Sequence, residues 1–139
     1  MRVRSLLLSV LVGLVGCSTA EVFDLSTQLR HRNFILVQVN QQLIPEPSFV
    51  HRLSFGERLF VSGTMCNEFS GFAQIKGSKL QVITLQQTEK ACVNPVLNTW
   101  DLILQRMLSQ GAEVTWQGQL LILKQGDEQL TYQLRDYVF

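Results

Sequence analysis

The rhythm of hydrophobic and polar positions changes three times along the chain. Residues 6–14 form an almost unbroken apolar run behind Arg2 and Arg4. After a short polar stretch, residues 24–30 read as one or two helical turns, with Asp24 or Ser26 as cap. From residue 33 the pattern becomes that of strands. Residues 34–39 are rich in β-branched and aromatic types and close at a turn on Asn40-Gln41. Pro45 and Pro47 withhold backbone donors, which places residues 42–48 at an edge or in a loop. Strands follow at 49–55 and 58–63 around Gly56-Glu57, then at 69–75 and 80–85 around Gly77-Ser78.

Between Asn94 and Gly111 the period lengthens to that of a helix. Asn94 reads as N-cap, Pro95 as the first helical residue and Gly111 as the stop. Leu97, Trp100, Leu104, Met107 and Leu108 fall on one apolar face with Val96 and Ile103, while Asn98, Asp101, Gln105 and Ser109 populate the other. This stripe reads as core; a ligand or membrane role for Trp100 and Met107 is the competing reading. Strand alternation returns at 112–116, 119–124 and 129–134, with turns at Gln117-Gly118 and Gly126-Asp127. The expected architecture is α+β: an antiparallel, strand-rich domain with one long helix packed on the sheet.

The leader changes the picture of where this domain works. A basic start, an apolar centre too short to span a bilayer and a small residue make a secretory signal. Leu14-Val15-Gly16-Cys17 resembles a bacterial lipobox, in which the cysteine thiolate accepts a diacylglycerol and cleavage frees an amine for a further acyl chain such as palmitate. Residues 1–16 then read as signal peptide, 17–30 as lipid anchor and tether, and 31–139 as the folded domain. A single acyl chain binds only marginally, whereas two or three hold firmly. Ser18 after the cysteine resembles the sorting pattern for the outer membrane, so the expected address is its periplasmic face, with lipid the first partner of Cys17. An ordinary signal peptide with a chance cysteine is the alternative.

Removing Arg2 and Arg4 from the twelve basic residues leaves ten against eleven acidic ones. The cations are scattered among acids, so no basic stripe offers itself to nucleic acid. About 120 mature residues suffice for one core. With Cys17 acylated, Cys66 and Cys92 remain as an even pair in an oxidising compartment, and a disulfide is expected, worth on the order of 3 kcal/mol. Free thiols are one alternative. A metal pair is another, disfavoured by the wide spacing and by the scarcity of histidine, which leaves no metal or cofactor expected.

Candidate chemistry is sparse. His31 and His51 sit beside arginines and read as solvated, and neither G-x-S-x-G nor H-E-x-x-H occurs, so no catalytic residue is assigned. Gly56, Gly63, Gly71, Gly77 and Gly118 read as dispersed turn glycines. Asn67 either bonds the loop backbone, occupies a positive-φ turn or presents its amide to a ligand, and Thr88 reads as a loop bond or a binding hydroxyl.

The run Gly63-Thr64-Met65-Cys66-Asn67-Glu68-Phe69-Ser70-Gly71, followed by Thr88-Glu89-Lys90-Ala91-Cys92, resembles the two signature blocks of the META domain family. Ile44-Pro45, Ser54-Phe55-Gly56-Glu57, Asn94-Pro95-Val96-Leu97-Asn98 and Leu130-Thr131-Tyr132-Gln133-Leu134 are similar to further blocks in the same order, and with the lipobox they point to the family's heat-shock lipoproteins. The resemblance makes Gly63, Asn67, Phe69, Gly71 and Thr88 the family motif and implies an antiparallel β fold with helical additions. It carries no catalytic activity or cofactor, and implies association with heat induction, the outer membrane and novobiocin tolerance. Glu68 departs from the pattern, since relatives often carry a basic residue there. The expected function is that of a non-enzymatic lipoprotein supporting heat and envelope stress tolerance by binding an envelope protein or a small apolar ligand. A groove lined by sheet aromatics such as Phe60, Phe69 and Phe72 would serve this. An envelope hydrolase or enzyme inhibitor is the alternative, to be marked by a carboxylate of perturbed pKa beside a hydroxyl.

Overall fold

A computed structural model describes residues 24–44 and 50–136, together with Gly13, Gly16 and Cys17 of the leader. The rest of the predicted signal and lipobox therefore lies outside the described residues. Helix α1 (Leu25–Leu29) starts where the Asp24 carboxylate accepts the Ser26 N–H at 3.1 Å. The Ser26 hydroxyl, then that of Thr27, hold the Asp24 carboxyl below its usual range. Leu29 at the end of α1 is fully buried, so the described fold begins at Asp24, within the stretch that reads as tether.

Strands β1 (Arg32–Val39) and β2 (Gln42–Leu43) flank the expected turn, where Asn40 takes a positive φ of 51°. Strand β3 spans Arg52–Phe55, shorter than the 49–55 read from the pattern, and residues 45–49 lie outside the described residues. The strand expected at 58–63 begins late, as β4 (Phe60–Thr64). Glu57–Leu59 instead forms a 3-10 turn in which Arg58 and Leu59 have φ of 49° and 57°. Burial of Leu59 accompanies this conformation, which L-residues adopt at a cost of about 1–2 kcal/mol each. Strands β5 (Glu68–Lys76) and β6 (Lys79–Gln87) join through Gly77-Ser78. Helix α2 (Pro95–Gln110) follows, capped by the Asn94 side chain on the Val96 N–H and ended by Gly111 at φ 103°. Strands β7 (Ala112–Gln117), β8 (Leu120–Gln125) and β9 (Glu128–Leu134) complete the order.

The pairing closes on itself, which the expectation of a helix on a sheet did not specify. Antiparallel neighbours run β1-β3-β4-β5-β6-β7-β8-β9, and β9 returns to β1 with Phe34 opposite Leu134 and Val39 opposite Leu130. An eight-stranded barrel results, with β2 appended beside β1. Closure satisfies strand edges that an open sheet leaves bare. One seam is short: β6 and β7 pair only through Lys79 with Glu113 and Leu80 with Ala112. Beyond it β6 packs on α2, and the Gln81 amide donates to the Ser109 carbonyl at 2.9 Å.

Inward residues of the barrel and Leu104, Met107 and Leu108 of α2 share one core. Phe34 meets Phe55 and Trp116 edge-on, at centroid distances of 5.9 and 5.3 Å. Two glycines read as turn residues lie inside strands for a different reason. A Cβ on Gly63 would fall 2.1 Å from the Arg52 carbonyl oxygen and 2.6 Å from Phe69 Cζ. On Gly71 it would fall 2.5 Å from Val82 Cγ1. Close approach, not turn geometry, requires glycine at both.

Tyr132 is buried with no hydrogen-bond partner for its hydroxyl among the described residues, and burial pushes its pKa well above the ordinary tyrosine range. The folded chain thus keeps this proton while the unfolded chain loses it near pH 10. Stability is unaffected by this group below that pH and falls as pH rises toward the folded pKa. Tyr132→Phe removes the orphaned hydroxyl and should raise unfolding free energy by about 1 kcal/mol at neutral pH. Urea titrations at pH 7 and above pH 10 check this: the gain should widen at the alkaline pH.

Candidate functional site

The two signature blocks meet at one buried carboxylate. The loop between β4 and β5 turns tightly, with the Met65 N–H donating to the Asn67 carbonyl at 3.2 Å. This turn aims the next donors at α2. Asp101 Oδ1 accepts the backbone N–H groups of Cys66 at 3.1 Å and Asn67 at 3.0 Å. Its Oδ2 accepts the side-chain amides of Asn67 at 2.9 Å and Gln87 at 2.7 Å. Asn67 in turn reaches the second block. Its Oδ1 accepts the Thr88 hydroxyl at 2.9 Å and the Lys90 N–H at 2.8 Å, and its Nδ2 also donates to the Lys90 carbonyl at 3.2 Å. Thr88 Oγ1 closes the circuit by accepting the Glu68 N–H at 3.0 Å.

Around this network lie the other motif residues. Cys66 and Cys92 are joined as a disulfide, with Cα atoms 5.9 Å apart. Asn98 of α2 clamps the far cysteine, accepting the Cys92 N–H at 3.0 Å and donating to its carbonyl at 3.2 Å. Phe69 points inward and packs over Gly63, and Gly71 lies against Val82. Asn67 has all its amide capacity used internally, so nothing of it is left to present to a ligand. It has no positive φ either. His51 is half-buried rather than solvated, with Nδ1 3.0 Å from the Met65 carbonyl oxygen as donor. His31 is exposed, 3.0 Å from the Glu57 carboxylate. Met107 is core and Trp100 packs partly against it. Cys17 is exposed and forms no disulfide among the described residues.

Asp101 corrects the helix reading, which set it on the polar face. Residue 101 lies four places after Leu97 and three before Leu104, so it falls on the apolar arc, and it is only 7% exposed. An acid on that arc was the available signal. Its lone pairs face four N–H donors, which leaves it no vacancy for a metal or a substrate proton. Among the described residues, no group of three or more His, Cys, Asp or Glu could hold a metal ion.

The outer face of β4, β5 and β6 is arranged differently. Cross-strand pairs run Phe60–Phe72, Ser62–Ser70 and Thr64–Glu68 along it. An open cleft of about 470 Å³ is bounded by Arg52, Ser62, Glu68, Ser70, Gln86 and Thr88. A second, of about 400 Å³, shares Ser70 and Gln86 and continues over Phe60, Phe72 and Ile83. The Phe60 and Phe72 rings meet edge-on at 5.1 Å, and the Arg58 guanidinium sits 5.5 Å from the Phe72 centroid. Phe72 and Ile83 are 49% and 48% exposed. The expected aromatic trio is therefore split: Phe69 belongs to the core because alternation turns it inward, and Ile83 takes its place outside. Arg52, Arg58 and Ile83 were not singled out by sequence, since a lone exposed cation or aliphatic carries no local signal.

Comparisons with known proteins show the family and the fold. The family model of the META domain matches residues 27–137. The Heat shock protein HslJ of Escherichia coli (strain K12) is 35% identical over 124 residues, covering 88% of this chain and 89% of that protein. A structure solved by NMR superposes with a TM-score of 0.72 at 36% identity, covering 80% of this chain and 95% of the other. An NMR structure of a protein from Burkholderia xenovorans shares the fold, with a TM-score of 0.62 at 20% identity over 81% and 87% of the two chains.

Two stability outcomes follow from the network. Asp101→Ala leaves several buried N–H groups unpaired and should lower unfolding free energy by about 3 kcal/mol, read by urea denaturation; a loss under 1 kcal/mol would contradict its central place. Replacing Cys66 and Cys92 together by serine should cost about 3.5 kcal/mol in the chain-entropy account, and adding reductant should reproduce that loss in the parent protein.

Proposed function

The chain belongs to the META domain family, and on that premise we propose that it is a lipid-anchored envelope protein that works by binding and not by catalysis. Its similarity to a heat shock protein supports a heat-shock-associated role. In this reading Cys17 carries acyl chains in the outer membrane, and the short stretch before Asp24 keeps the barrel close to the periplasmic face. The domain then holds an envelope protein or small apolar molecule during heat stress, and the same activity contributes to novobiocin tolerance.

One observation carries the binding role. Polar groups of the signature network are engaged with one another, whereas Phe60, Phe72 and Ile83 form a contiguous exposed apolar strip beside an open cleft. Such a strip is the type of surface that a binding partner covers. The motif residues then act as scaffold, holding β4, β5 and β6 in the arrangement that displays it.

In a strain lacking the gene, the parent chain should restore survival at high temperature, and the Phe72→Ser, Ile83→Ser pair should not, at equal protein abundance. A photoreactive residue in place of Phe72 should trap a reproducible product in heated cells, and one in place of Lys124 should not. Cys17→Ser should move the protein out of the membrane fraction. Full survival of the double variant, with no trapped product, would remove the binding role.

A further inference from the structure

We propose that the trough across the outer faces of β4, β5 and β6 takes a small anionic amphiphile, its apolar body on Phe60, Phe72 and Ile83 and its acidic head on Arg52. The inference rests on the binding role proposed above and assigns its ligand class.

Shape comes first. The floor is made of the small pair Ser62 and Ser70, with the Phe60–Phe72 pair at one end and Thr64–Glu68 at the other. Four residues of strand separate these ends, about 14 Å at the usual rise per residue. The two clefts share Ser70 and Gln86 in their linings, so they adjoin along that length. Their size, near 470 and 400 Å³, is in the range of small-molecule sites.

Charge decides what fits. Arg52 is half-buried at the polar end, yet its guanidinium has no ion pair or hydrogen bond among the described residues. A partly desolvated cation without an acceptor is a standing site for an anion, and a planar guanidinium suits a carboxylate. Arg58 adds a second cation at the apolar end, over the Phe72 ring and without an ion pair among the described residues. Glu68 is the one acid lining the clefts among the described residues, so an acidic head is favoured on balance and disfavoured near Glu68 itself.

Backbone strain independently marks the apolar end. Of the five non-glycine residues with positive φ among those described, Arg58, Leu59 and Thr84 flank this strip. Thr84 lines the apolar cleft beside the irregular β5–β6 register at Ser70 and Phe72. Such conformations gather where a surface is shaped for a ligand.

The chain carrying Cys17→Ser, unacylated but with every described barrel residue intact, tests this by fluorescence titration with 8-anilinonaphthalene-1-sulfonate. Decanoate should displace the probe at a concentration at least tenfold below that of decanol. Arg52→Gln should weaken decanoate about tenfold and erase the preference for acid over alcohol. Arg52→Lys should retain part of it, Glu68→Gln should tighten decanoate two- to threefold, and Phe72→Ser should weaken both competitors. Equal displacement by acid and alcohol, no probe binding, or no change in either Arg52 variant or in Glu68→Gln would overturn the proposal. So would displacement by a peptide ending in Leu-Phe-Phe without any by decanoate, which would give the trough to a polypeptide. A trapped product at position 72 in heated cells would survive all of these failures, so the binding role and its ligand class stand or fall separately.

Discussion

A carboxylate accepting four N–H donors in a buried site organises this protein. Asp101 joins three segments far apart in sequence: the turn after β4, the end of β6 and the middle of α2. An ionised acid is costly to bury alone, and the arrangement is stable because donors surround it. Asn67 then carries the constraint outward, since it is bonded to Asp101 on one side and to Thr88 and Lys90 on the other. The disulfide of Cys66 and Cys92 spans the same junction covalently. Two kinds of bond thus fix one joint, and the helix has a defined place on the barrel because of it.

That joint matters because the barrel is incomplete where the helix sits. Strands β6 and β7 share only two residue pairs, so the upper part of β6 would present an unpaired edge without α2. Hydrophobic packing by Leu104, Met107 and Leu108 supplies adhesion but little direction. Directional bonds from Asp101, Asn98 and Gln81 supply the register. Gly63 and Gly71 contribute on the opposite side of the problem, by letting strand and side chain approach more closely than any Cβ would permit.

Much of the element order was legible because the signals were local. Asn94-Pro95 and Gly111 bracket α2, and the turns at Gly77, Gly118 and Gly126 all have positive φ. What escaped was long-range. No local pattern in β1 says that β9 will pair with it, and Asp101 looked polar by type although its position lay on the apolar arc. The strand expected to start at Arg58 starts at Phe60, since the buried Leu59 is reached through a left-handed turn that residue preferences disfavour. The cysteine pair was legible as the even pair left once Cys17 is set aside, and the structure joins Cys66 to Cys92. The strip of Phe60, Phe72 and Ile83 was not, because its members come from three strands and the bulge at Thr84 decides which of them face outward.

The seam between β1 and β9 makes closure of the barrel depend on its last strand. Strands β1 and β8 each keep a bare edge until Glu128–Leu134 arrives, and the Phe34 to Leu134 contact joins residues at opposite ends of the described fold. Loop-closure entropy makes such a contact costlier to form than the hairpin pairings beside it. A chain truncated before β9 would therefore display two open strand edges. A shut barrel is thus conditional on the segment farthest along the described fold, and every other strand waits on it for a closed ring.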